Sequence, residues 1–192
     1  MKLSQSLWDK NLNLAKQSLQ TNFVQGIKNG SLPKDKFKAY VAQDYYFLRS
    51  FAHAYGLAVS KCKDKKVLRV LSKLLLGVSE ELILHEGYSK ELDINLNTVR
   101  IDTATREYTE FLYEVSTNNS LIEIICSMTP CMRLYSWIGC SLSNYIENNP
   151  YSEWIKTYSD EGFNSLAKSL ENLIDQDNGG NSINALNFFY KK

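Results

Sequence analysis

One cysteine lies in an apolar helical segment where its thiol could act as a nucleophile. The segment from Pro130 to Tyr135 carries Cys131 directly after a proline. A proline inside a helix removes a hydrogen bond and clashes with the preceding turn, so we expect a kink at this point. Cys131 and Tyr135 are four residues apart and share one helix face. The alternative is a kinked core helix in which Cys131 is only a small buried hydrophobe.

A carboxylate on a second helix is the other residue that could take part in chemistry. Apolar periodicity places Asp44 on an inward-facing strip with Tyr40, Phe47 and Phe51. Burying a carboxylate there is costly unless it is paired or meets a ligand. Asp44 is therefore predicted either to bind a ligand or to bond to a neighbouring tyrosine or arginine.

Helices must position these side chains, because apolar residues recur at spacings of three, four and seven along the whole chain. Helix starts and stops are indicated by capping residues, by Asn29-Gly30 and by Asn149-Pro150. The predicted helices run over residues 7–27, from a cap at Ser31 to about 59, from a cap at Asp64 to about 92, from Asp102 to about 115, and over 121–146, 151–159, 161–175 and 182–192.

Long helices joined by short polar turns predict an all-α protein. The 192 residues suffice for one domain of ordinary size, and neither a linker nor a repeat interrupts them. We therefore expect a single-domain helical bundle over residues 1–192.

Charge and hydropathy exclude several classes of partner. The 22 basic and 21 acidic residues are spread along the chain and give a net charge of +1. Nothing in this pattern favours a nucleic acid or an anionic membrane. The apolar runs are shorter than a bilayer span, and the N-terminus lacks the apolar core of a signal peptide. We expect a cytoplasmic protein.

No metal or cofactor is expected. The four cysteines, Cys62, Cys126, Cys131 and Cys140, match neither a zinc knuckle nor a disulfide scaffold. Haem needs an axial histidine, and a di-iron site needs several Glu and His residues on facing helices. The chain has only His53 and His85, which are more typical of packed or surface residues than of ligands.

Several of these stretches together resemble the TenA family, helical enzymes of the thiaminase II type with a haem-oxygenase-like fold. The resemblance covers nearly the whole chain and rests on Gln43-Asp44-x-x-Phe47, on the stretch 81–92 with His85-Glu86, on Pro130-Cys131-x-x-x-Tyr135 and on Trp154-Ile155-x-x-Tyr158-Ser159. The proline–cysteine–tyrosine helix is the most specific of these signals. We interpret the His85-Glu86 stretch as a helix surface that docks against a neighbour.

The resemblance implies a role for each candidate. Cys131 would add to an aminopyrimidine ring as the nucleophile, and Asp44 would hydrogen-bond the amino group and a ring nitrogen. Phe47 and Tyr135 would line or sandwich the flat ring. Tyr108 and Tyr158 would place hydroxyl groups around the substrate and the nucleophile. The implied activity is hydrolysis of 4-amino-5-aminomethyl-2-methylpyrimidine in thiamin salvage, with thiamin as a second candidate substrate.

The sequence departs from the family at its C-terminal end. The family carries an acid/base glutamate in a Glu-x-x-Phe-Phe or Glu-x-x-Phe-Trp setting. If Phe188-Phe189 are the motif aromatics, Ala185 takes the place of that glutamate; otherwise the chain ends before the motif. Neither Glu161 nor Glu171 replaces it, because both are expected on solvated helix faces. A non-catalytic pyrimidine-binding or regulatory protein therefore stays as an alternative, and the resemblance suggests a homo-tetramer in either case.

Overall fold

The chain is predominantly helical in residues 2–177, the part that its computed structural model describes. Two single-turn 3-10 helices and eight α-helices are present in this part, and it contains no strand. The α-helices are α1 (Leu3–Leu19), α2 (Asn22–Lys28), α3 (Lys34–Lys61), α4 (Lys65–Glu91), α5 (Thr103–Asn118), α6 (Leu121–Leu142), α7 (Ser152–Ser159) and α8 (Glu161–Gln176). The predicted all-α class is confirmed.

The predicted helix over residues 7–27 is wrong in one respect, because the structure divides it into α1 and α2. The Thr21 hydroxyl accepts a hydrogen bond from the N–H of Val24 and caps α2. Gly30, at φ +67°, follows the end of α2, as the Asn29-Gly30 stop predicts. Ser31 does not cap the next helix, since α3 begins three residues later at Lys34.

The later helices agree more closely with their predictions. Asp64 caps α4, and its Oδ1 accepts from the N–H groups of Lys66 at 2.7 Å and Val67 at 2.9 Å. Helix α6 continues through Pro130 and ends at Leu142, four residues before the predicted limit. The helix expected over 182–192 lies outside the described residues. None of the helices within residues 2–177 is long and apolar enough to cross a bilayer.

The described chain forms two compact units. The unit made by residues 34–127 holds α3, α4, α5 and the first part of α6. In it, α3 packs most extensively on α4 and α5. Its core is apolar on every helix: Leu48, Phe51, Tyr55, Leu71, Leu74, Val78, Leu112, Val115 and Ile124 are buried.

The other unit combines residues 2–33 with residues 128–177. Here α8 packs on α1 and α7. Leu7, Ile27, Ile155, Leu170 and Ile174 are almost completely buried. Ser4 joins the start of α1 to the end of α8, because its backbone N–H and its hydroxyl each donate to the Asp175 carboxylate at 2.9 Å.

A lysine from α3 closes the C-terminal end of α5. The Lys61 ammonium donates to three carbonyl oxygens, those of Ser116 at 2.8 Å, Thr117 at 3.1 Å and Asn119 at 2.7 Å. The last carbonyls of a helix have no partner within the helix and carry partial negative charge. Lys61 thus satisfies the end of α5 and ties it to the end of α3.

We expect Lys61→Met to destabilise the protein by about 1–2 kcal/mol, because three helix-end carbonyls lose a charged donor. The free energy of unfolding from urea titration measures the loss. Lys63→Met is the matched control, since Lys63 is exposed, and we expect it to stay within about 0.5 kcal/mol of the parent. Equal stabilities for the two variants would contradict a capping role for Lys61.

Candidate active site

One group of candidate residues centres on Asp44, which lies in α3 and is only 7% exposed. Its Oδ2 lies 2.7 Å from Nε2 of His85, a residue of α4 that is 4% exposed. The Tyr40 hydroxyl, one turn earlier in α3, donates to the same Oδ2 at 3.2 Å. The predicted bond between Asp44 and a neighbouring tyrosine is therefore present, and a histidine is added to it.

Sequence reasoning missed His85 as a partner of Asp44. His85 lies where α4 packs on α3, as expected for this stretch, and its ring also reaches the buried carboxylate. A signal was available, because His85 follows the buried Val78 by seven residues and therefore occupies the inward face of α4. What the sequence does not contain is the pairing of that face with Asp44.

The surroundings of His85 act on its charge in opposite directions. Burial by itself lowers the pKa of His85, because it disfavours the charged ring. The hydrogen bond to Asp44, the negative charge of Asp44 and the interactions with Glu81 outweigh burial and raise the pKa above 6.5. The net effect of these surroundings favours the protonated ring of His85.

Glu81 completes the only cluster within residues 2–177 whose donor atoms could hold a metal ion. Its carboxylate lies within 4.8 Å of the facing atoms of Asp44 and His85. The 2.7 Å contact between Nε2 and Oδ2 is, however, the length of a direct charge-assisted hydrogen bond. A proton rather than a metal ion therefore joins Asp44 and His85.

Two aromatic rings lie in the same unit as Asp44. Phe47 and Tyr108 are stacked at 5.4 Å between centroids with planes 11° apart, and Phe51 supports Phe47 at 4.5 Å. The Tyr108 hydroxyl donates to the carbonyl of Ser127 at 3.5 Å. Within this unit the ring stacked on Phe47 is thus Tyr108. A flat ligand between the two would need them about 7 Å apart, since each ring contact takes about 3.5 Å.

The remaining candidates belong to the other unit. Cys131 and Tyr135 lie one turn apart in α6 and are both half-buried. Tyr158, in α7, contacts Tyr135 at 4.7 Å and Trp154 at 4.7 Å between ring centroids. The structure therefore brings Tyr135 and Tyr158 together, and it places Cys131 on the helix face that carries Tyr135.

A glycine of α6 allows Tyr158 to come this close. A Cβ atom at Gly139 would lie 2.3 Å from the carbonyl carbon of Tyr158 and 2.7 Å from the nitrogen of Ser159. Asn164 bonds both sides of this contact, because Ser136 donates to its Oδ1 and its Nδ2 donates to the Ser159 carbonyl at 3.1 Å. The position of Tyr158 thus depends on the missing side chain at 139.

Glu171 is buried, so the prediction that it lies on a solvated helix face is wrong. Its Oε1 lies 3.3 Å from Nε of Arg133, whose guanidinium also packs over the ring of Trp8 at 4.8 Å. Burial raises the pKa of Glu171 above its ordinary value, although the charge of Arg133 opposes this. Glu161 is exposed, as predicted. Ala185 and Phe188-Phe189 lie outside the described residues.

Comparison with known proteins decides the family. Residues 8–176 match the TENA/THI-4/PQQC family, which is most of the chain. The chain belongs to this family. The resemblance inferred from the proline–cysteine–tyrosine helix and the other three stretches is thereby confirmed.

Curated relatives of this chain include proteins named aminopyrimidine aminohydrolase. The one from Halalkalibacterium halodurans is 33% identical over 94% of this chain and 84% of its own length. The one from Helicobacter pylori is 31% identical over 91% of this chain and 84% of its own. A bifunctional TH2 protein from Arabidopsis thaliana is 32% identical over 88% of this chain, which spans only 31% of that longer protein.

Solved structures of family members agree with the fold. A TenA homologue from Pyrococcus furiosus superposes with a TM-score of 0.88, covering 97% of this chain and 92% of that one at 22% identity. A protein from Silicibacter described as a TenA family transcription regulator gives a TM-score of 0.87 over 98% and 90% of the two chains at 24% identity. At these identities the likeness establishes the fold alone.

We expect Gly139→Ala to destabilise this family member by about 1–3 kcal/mol, because the new methyl group overlaps the backbone of Tyr158. Gly87→Ala is the matched control, since a Cβ there meets nothing within 4 Å. Alanine should stabilise that exposed helical position by about 0.5–1 kcal/mol. Thermal unfolding of both variants measures the expected loss of stability in Gly139→Ala and the expected gain in Gly87→Ala. A Gly139→Ala protein as stable as the parent would contradict the close approach of Gly139 to Tyr158.

Arg133→Met should destabilise the protein by about 3 kcal/mol at pH 7, because it leaves Glu171 as a buried carboxylate without its cation. The loss should shrink as the pH falls towards 4.5, the ordinary pKa of a glutamate. The loss shrinks at lower pH because the pKa of Glu171 is raised in the folded protein, and such a carboxyl group stabilises the fold when it is protonated. Urea unfolding across this pH range tests it.

The double variant Arg133→Met/Glu171→Leu is the control for the ion pair. Replacing both charges with apolar side chains removes the unpaired carboxylate, so most of the stability should return and its pH dependence should disappear. A double variant as unstable as Arg133→Met would show that the packing of Arg133 on Trp8, rather than the ion pair, stabilises this part of the structure.

Proposed function

We propose that this chain is an aminopyrimidine aminohydrolase that converts 4-amino-5-aminomethyl-2-methylpyrimidine and water to hydroxymethylpyrimidine and ammonia. The observation that carries the proposal is the relationship to two aminohydrolases over more than nine tenths of the chain. The buried Asp44 supports it, because a carboxylate kept away from water suits a ligand with hydrogen-bond donors.

In the proposed reaction Cys131 adds as a thiolate to the electron-poor pyrimidine ring. The new sulfur–carbon bond pushes electrons towards the exocyclic CH2, and the amine leaves with a proton as ammonia. Water then adds to this carbon and loses a proton. The carbon–sulfur bond breaks, the ring becomes aromatic again, and the thiolate is regenerated.

The other candidate residues bind and orient the substrate in this proposal. Asp44 accepts hydrogen bonds from the pyrimidine and so polarises the ring. The rings of Phe47, Tyr108, Tyr135 and Tyr158 supply aromatic contact, which contributes about 0.5–1.5 kcal/mol for each well-placed pair of rings. The proton donor for the leaving amine is not assigned to a residue.

Substrate range, assembly and setting belong to the same proposal. Thiamin is a second candidate substrate, which would release its thiazole in place of ammonia. We further propose that the protein acts in thiamin salvage as a cytoplasmic homo-tetramer formed by one single-domain chain. A pyrimidine-binding protein without turnover is the alternative, and the same assay separates the two.

We expect ammonia release from the aminomethylpyrimidine by the parent protein and a loss of about 10⁴-fold or more in kcat for Cys131→Ser, the scale on which removal of a nucleophile acts. Cys140→Ser is the matched control, because Cys140 is an exposed cysteine of the same helix; it should retain full activity. Asp44→Asn should lower kcat/KM by about 10–100-fold, the loss of one charged hydrogen bond.

The outcomes distinguish a cysteine-dependent enzyme from a binding protein without turnover. Full activity in Cys131→Ser would contradict covalent catalysis by this residue. Binding of hydroxymethylpyrimidine by a folded parent protein that releases no ammonia from the aminomethylpyrimidine and no thiazole from thiamin would favour the binding protein. A parent that neither binds nor converts these pyrimidines would overturn the proposal.

A further inference from the structure

Both ring nitrogens of His85 face oxygen atoms. Nδ1 lies 3.0 Å from the main-chain carbonyl oxygen of Glu81, and Nε2 lies 2.7 Å from Oδ2 of Asp44. A carbonyl oxygen can only accept, so Nδ1 carries a hydrogen. One further proton joins Nε2 and Oδ2. The ordinary pKa values are about 6.5 for histidine and about 3.9 for aspartate, so this proton belongs to the histidine.

The two oxygens of Asp44 therefore have different surroundings. Oδ2 accepts from both His85 and the Tyr40 hydroxyl, which occupies its lone pairs. Oδ1 accepts no hydrogen bond from residues 2–177. Because the helices α3 and α4 hold the histidine and the tyrosine, the carboxylate cannot rotate without losing both donors. Oδ1 is the oxygen left to accept from a ligand.

We propose that His85 is the positioning residue of Asp44: an imidazolium that keeps Asp44 ionised and leaves Oδ1 as a fixed acceptor, so that the protein selects 4-aminopyrimidines over 4-oxopyrimidines. This inference rests on the proposed function, because it assumes that Asp44 binds the pyrimidine. It adds a residue and a rule of selection that the proposed reaction does not require.

The selection follows from the charge on Asp44. An ionised carboxylate has no hydrogen to donate, and the exocyclic amino group of a 4-aminopyrimidine offers it an N–H. A 4-oxopyrimidine in the same orientation places a carbonyl oxygen against Oδ1, so two acceptors meet, and its adjacent ring N–H reaches Oδ1 only if the ring leaves that orientation. Sites built around a buried polar group reject such analogues strongly, and we expect discrimination of at least about 100-fold.

The groups that face His85 set the direction of its titration. Asp44 and Tyr40 face this cluster from α3, and Glu81 and Tyr88 lie beside the ring on α4 itself. The net effect raises the pKa of His85. Stability from its protonation is therefore fully present below about pH 6.5 and is lost as the pH rises through the folded pKa. Affinity for the aminopyrimidine should fall over the same range.

Nitrogen-15 NMR of the imidazole tests the charged pair without altering it. His53 is the only other histidine in the chain and is exposed, so His53→Gln leaves a single histidine signal. The titration midpoint of that ring should lie above 6.5, with both nitrogens protonated below the midpoint, and adding Asp44→Asn should move the midpoint down. A midpoint below 6.5 in His53→Gln would overturn the proposal.

Binding of hydroxymethylpyrimidine and of its 4-oxo counterpart tests the selection. His85→Gln should weaken binding of the amino compound about 10–100-fold, the loss expected when a charged hydrogen bond is removed, and should reduce the preference over the oxo compound. His53→Gln, the matched control, should leave both unchanged. Equal affinities and an unchanged preference in His85→Gln would contradict the positioning role.

The two measurements separate this inference from the proposed function. A charged His85 in a protein that binds neither pyrimidine contradicts the proposed function and the selection rule, while leaving the ion pair established. Binding of the amino compound with a neutral His85 overturns the inference alone. If His85→Gln does not fold, the NMR titration of His53→Gln and the preference of the parent for the amino over the oxo compound still test the inference.

Discussion

Asp44 places a carboxyl group where water is nearly excluded, and this fact constrains how α3 and α4 pack. An unpaired buried carboxylate costs several kcal/mol, so the structure has to supply donors within reach. Tyr40 supplies one from the same helix, and His85 supplies the other from α4 at 2.7 Å. A shift of α4 by one residue along α3 would turn His85 away, and so the hydrogen bond between His85 and Asp44 and the apolar contacts of these helices support one register.

The second unit shows a different constraint, which is steric. Tyr158 can approach Tyr135 only because Gly139 has no side chain, and Asn164 holds the two backbones by bonding to Ser136 and to Ser159. Electrostatics positions Asp44, whereas close packing positions the tyrosine. Both devices reduce the freedom of side chains proposed to contact a small flat substrate, which is the condition for precise orientation.

Helical periodicity was enough to predict the class of the fold and most helix limits, because caps such as Asp64 and apolar spacings act within a few residues. It failed at Thr21, where the apolar pattern continues although the backbone turns. It also failed for partners distant in the chain: Glu171 is buried against Arg133, 38 positions away, and Asp44 meets His85, 41 positions away. A single sequence marks such residues as unusual but does not pair them.

The pairing of Glu171 also bears on the chemistry. In the proposed reaction a general acid has to reach the leaving group, so it would have to approach the helix face that carries Cys131. Arg133 follows Cys131 by two positions, which is about 200° around α6 and places it on nearly the opposite face. Glu171 is bound to that opposite side by Arg133, within 3.3 Å. Its buried carboxyl is therefore explained by packing, and the proposed reaction needs a proton donor on the side of α6 that carries Cys131 and Tyr135.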